Sequence, residues 1–77
     1  MADAADMQRL LRGYSVAAAH AEAAVTARDP NSINKLVEAE TMLGMAIQAS
    51  DDLPVTERKM HSFEINMARA RLAAIRR

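Results

Sequence analysis

An all-α protein is the fold class this sequence predicts, and three observations carry the prediction. Of the 77 residues 51% are hydrophobic, yet one Tyr and one Phe are the sole aromatics, a composition of helices and not of sheets. Glycine and proline number two each, so the chain has few places to break. The apolar residues recur at steps of three and four, the period of a helix with one buried face. The expected fold is a single helical domain over 1–77, with helices at about 4–27, 30–50 and 54–76. Matched lengths and short loops favour a three-helix antiparallel bundle or an extended helical hairpin, completed by dimerisation.

The first helix begins near Asp3 or Asp6, either of which caps it and meets the positive end of its dipole. Met7, Leu10, Leu11, Tyr14, Ala17, Ala18, Ala21 and Val25 fall within about 120° of its surface, which makes one buried face. The alanine-rich run from Val16 to Ala24 has high helix propensity and a narrow profile, so a neighbour can approach closely. Gly13 costs about 1 kcal/mol against Ala inside a helix and marks a bend or a close contact.

Arg28 to Ser32 is the first break, and Pro30 after Asp29 is a start signal for the second helix. Its expected buried set is Ile33, Leu36, Ala39, Leu43, Ala46 and Ile47, with Gly44 permitting close approach. Glu40 intrudes on that arc, and a buried carboxylate requires a cationic partner, for which Arg71 is the candidate. On the polar face Met45 stands exposed.

Asp51 to Pro54 is the second break, and Pro54 opens a third helix with two apolar stripes where a lone small domain needs one. Met60, Phe63, Met67, Ala70 and Ala74 occupy an arc of roughly 80° at heptad-like spacing. Ile65, Ala68, Leu72 and Ile75 occupy another, centred roughly 140° away. Glu64 and Arg71 lie between them, seven apart, and Arg58, Ser62, Asn66, Arg69 and Arg76 form a solvated face. Both stripes lie inside the monomer if this helix touches two neighbours; otherwise one packs inside and the other meets a second chain. A chain this short buries only about 60% of its unfolded surface. Leaving Ile65, Leu72 and Ile75 in water forfeits several kcal/mol of a stability of about 5–15 kcal/mol. The expectation is therefore that Ile65, Ala68, Leu72 and Ile75 form a contact with another chain, flanked by Glu64 and Arg71, with Met45 a further exposed contact.

The formal net charge is zero but unevenly placed, near −4 over 29–52 and +4 over 53–77, where Arg58, Lys59, Arg69, Arg76 and Arg77 make a basic edge. That distribution orients a protein partner or a second copy, and it also suits the alternative of a small nucleic-acid-binding protein. Aromatic residues for base stacking are not interleaved with the basic ones. Cysteine is absent, which removes disulfide and thiolate chemistry. His20 and His61 lack the spacing of a carboxylate-bridged metal site, and the isolated glycines make no phosphate-cradling loop. No catalytic constellation, metal or cofactor is expected, and no apolar run approaches the 18 or so residues of a membrane span. The N-terminal residues lack the basic start of a signal peptide, so a cytoplasmic location is expected. The sequence thus points to a non-enzymatic protein-interaction module, of adaptor, chaperone or inhibitor type, working through an apolar helix face.

Overall fold

A computed structural model describes residues 4–76; Asp3 and Arg77 lie outside them. The described residues form three α-helices and no strand: α1 over Ala4–Thr26, α2 over Ser32–Asp51 and α3 over Val55–Ile75. The principal dimensions are 41 × 20 × 14 Å and the radius of gyration is 12.9 Å. A compact domain of this length has about 11.5 Å, so the molecule is drawn out along its helices.

Each helix touches the other two, with α1 and α2 the closest pair and α3 laid less tightly over both. The reason lies in the small side chains. Ala18, Ala21, Ala39 and Ala46 have no exposed surface, and Ala17 and Ala68 are buried beside them, so the helix backbones approach closely. All of these but Ala46 form one cluster with Tyr14, Leu43, Leu72 and Ile75, with Val25, Leu36, Met42 and Ile47 packed against it. A second cluster joins Met7, Ala46, Leu53 and Ile65. Met7 near the start of α1 thus shares a cluster with Ala46 near the end of α2, and Val25 near the end of α1 shares one with Leu36 near the start of α2.

The helix ends differ from the sequence reading in detail. Pro30 stands in the turn and α2 starts two residues later, because Asp29 Oδ1 accepts from the Asn31 N–H (2.8 Å) and the Asp29 carbonyl accepts from the Ser32 N–H (3.0 Å). Pro54 is the N-cap of α3, and its carbonyl accepts the first helical bond from the Arg58 N–H at 2.9 Å. Asp6 lies inside the first turn of α1, where its carboxylate takes a 3.0 Å ion pair with Arg9.

Several expected packing roles are corrected. Ile33 is 70% exposed: the first turn of α2 lies where the chain has just reversed, so few neighbours remain to cover it. Glu40 is half-buried and pairs with Arg76, not Arg71, since Arg76 in the last turn of the chain reaches α2 while Arg71 faces α1. Gly44 has open space around it, whereas Gly13 does mark a close approach, a Cβ there falling 2.5 Å from Met42 Cε. His61 is buried with its Nδ1 unpaired. Leu53 has the reverse history: it sits in a break rich in turn residues yet is 3% exposed and anchors the α2–α3 connection.

Candidate protein-interaction groove

The two stripes of α3 exchange the roles expected of them. Ile65, Ala68, Leu72 and Ile75 are all buried within the chain, so these residues are core and not a surface offered to another chain. Branched aliphatic side chains fill the shallow space over the alanine-lined faces of α1 and α2. Ala68 is narrow enough for the Tyr14 hydroxyl to donate to its carbonyl at 2.6 Å. The outward stripe is the other one: Met60 and Phe63 are each 70% exposed and Met67 56%, with Ala70 and Ala74 exposed beyond them.

The middle of that stripe forms one wall of a groove between α1 and α3, with Met60 beyond one end of it and Ala74 in a separate recess beyond the other. Phe63, Met67 and Ala70 stand on the α3 side, Leu11, Tyr14 and Ser15 on the α1 side, and Ala68 in the floor, enclosing about 610 Å³. Helix geometry explains the placement. Leu11 and Ser15 are one turn apart on the flank of α1 that adjoins its buried face. Phe63, Met67 and Ala70 lie at steps of four and three on the flank of α3 turned towards them.

Glu64 and Arg71 line the same groove, as charges set between two stripes must. The Arg71 guanidinium donates to Ser15 Oγ over 3.4 Å, a long bond that spans the gap between the helices. Glu64 is exposed and makes no ion pair among the described residues. Burial holds the Tyr14 hydroxyl above its ordinary pKa of 10.0, while the nearby Arg71 charge pulls the other way and is outweighed. The groove is therefore apolar in its walls, with one acid and one base on its rim.

The remaining candidates lie elsewhere. Met45, 49% exposed, stands on α2 at helical spacing from Ile33 and Val37 and takes no part in the groove. Arg58 and Arg69 line a separate, more polar recess with Ser50, Asp51, Ser62 and Asn66, and Arg76 is engaged by Glu40, so the basic edge is divided by acids of α2. Lys59 is exposed beside the outward stripe. Among the described residues no three His, Cys, Asp or Glu side chains gather as metal ligands would, and no helix is long and apolar enough to cross a membrane.

What the sequence reading missed is which stripe faces out, and residue type does not decide it, since Met7 is fully buried while Met60 and Met67 are exposed. No protein-family model, curated protein sequence or solved structure matches this chain.

Proposed function

We propose that this chain is a non-enzymatic protein-interaction module, an up-down-up antiparallel three-helix bundle that binds through the groove between α1 and α3. The observation that carries this reading is the exposure of Met60, Phe63 and Met67 in a single row beside a ready-made apolar cleft. Large apolar side chains scattered singly over a surface are ordinary, but a contiguous row along a groove marks a place where another chain docks. A helix laid in such a groove buries its apolar face against the row, and the Glu64 and Arg71 pair sets its direction. The nucleic-acid alternative has less behind it, because Arg76 is already paired and Arg58 and Arg69 share their recess with Asp51.

A photoreactive phenylalanine analogue at position 63 tests the reading in living cells, with the same group at exposed Asn66 as the reference. The expected result is a protein adduct of discrete mass from position 63 and none from position 66. Equal labelling at the two positions, or no protein adduct at all, rejects it.

A further inference from the structure

The outward stripe of α3 is graded by size along its length. Met60 and Phe63 stand at one end, Met67 at the middle, and Ala70 and Ala74 at the other end. Its rim charges are graded too: Glu64 lies three residues before Met67 and Arg71 four after it. A surface whose large half precedes its small half, and whose acid precedes its base, becomes complementary to itself when turned end for end.

We infer that the occupant of the groove is a second copy of this chain, docked antiparallel along α3 about a two-fold axis near Met67. The inference rests on the reading of the groove as an interaction surface. In this arrangement Met60 and Phe63 of each copy lie over the small residues at the partner's Ala70 and the partner's Ala74. Glu64 of each copy faces the partner's Arg71, and by symmetry every contact is made twice. The alternating steps of three and four are those of knobs-into-holes packing between two helices. A parallel pairing sets Phe63 against the partner's Phe63 and Ala70 against the partner's Ala70, so the gradation in bulk selects the antiparallel one.

The absence of cysteine makes the test direct, since an introduced thiol reports only on its own neighbours. Light scattering behind size exclusion at micromolar concentration is expected to give twice the 8.4 kDa mass of one chain. Under mild oxidation Met67→Cys is expected to link to itself, because residues beside a two-fold axis come within the roughly 4.4–6.8 Å Cα separation that a disulfide requires. Met60→Cys alone is expected not to link, Met60→Cys with Ala74→Cys to do so, and Ser62→Cys not to. Glu64→Arg and Arg71→Glu are each expected to weaken the dimer about tenfold, and the double exchange to restore it, with circular dichroism confirming that all variants stay helical. A chain that remains monomeric at hundreds of micromolar overturns the inference, as does a dimer that links through Ser62→Cys and not through Met67→Cys. A monomer that still gives a foreign-protein adduct from position 63 removes the self-pairing and leaves the broader reading in place; a monomer with no adduct removes both.

Discussion

Tyr14 is the residue on which the α1–α3 contact turns. Its ring sits in the main cluster, its hydroxyl donates to the Ala68 carbonyl at 2.6 Å, and its edge lines the groove. Replacing it by Phe keeps the ring and removes one buried hydrogen bond, an expected loss of about 1 kcal/mol in urea unfolding. The same hydroxyl sets a pH dependence. Its pKa in the folded chain is raised, so its contribution to stability is fully present below the unfolded value of about 10 and is lost as pH rises through the higher folded value. Stability is expected to fall in that alkaline window in the wild type and to lose this step in Tyr14→Phe. As the only tyrosine, Tyr14 reports its own ionisation through phenolate absorbance. His61 is the opposite case: nothing in its sequence surroundings signals that its Nδ1 is buried without a partner.

At the scale of the helix, α1 ends in a way the sequence hides. Arg28 adopts a left-handed conformation with φ of 56°, while the Arg28 N–H bonds the Val25 carbonyl (3.0 Å) and the Asp29 N–H bonds the Ala24 carbonyl (2.9 Å). This is the Schellman closure that glycine ordinarily provides. An L-residue in that conformation costs about 1–2 kcal/mol, so Arg28→Gly is expected to raise the melting temperature, by the equivalent of about 1 kcal/mol. The three helices themselves were legible from period and punctuation, and the inward faces of α1 and most of α2 followed from the same periodicity. The choice between the stripes of α3 was not legible, because helical period assigns residues to a face but does not say which neighbour the face meets. A direct comparison checks the assignment: Leu72→Ala is expected to cost about 2–5 kcal/mol as a core truncation. Phe63→Ala in dilute solution is expected to stay within about 0.5 kcal/mol of wild type, as an exposed position should. Equal costs at the two sites contradict the observed burial.

For the whole molecule, the governing fact is that core and surface draw on the same few kilocalories. The interior is largely alanine, so close helix approach replaces bulk, and much of the large apolar side-chain area, at Ile33, Val37, Met45, Val55 and the row on α3, remains outside. The charge separation that looked like a partner-orienting device is used in part within the chain, by the contact between Glu40 of α2 and Arg76 after α3. An ion pair this exposed contributes about 0–1 kcal/mol, enough to bias where α3 ends but not to hold it. The looser seating of α3 then acquires a meaning in time. One wall of the groove belongs to the first helix and the other to the last, so the groove exists only while the chain is closed, and it is lost whenever α3 lifts away. Whatever fills the groove acts as a latch on that opening: it slows amide exchange along α3 and makes the resistance of the chain to proteolysis depend on how much of the occupant is present.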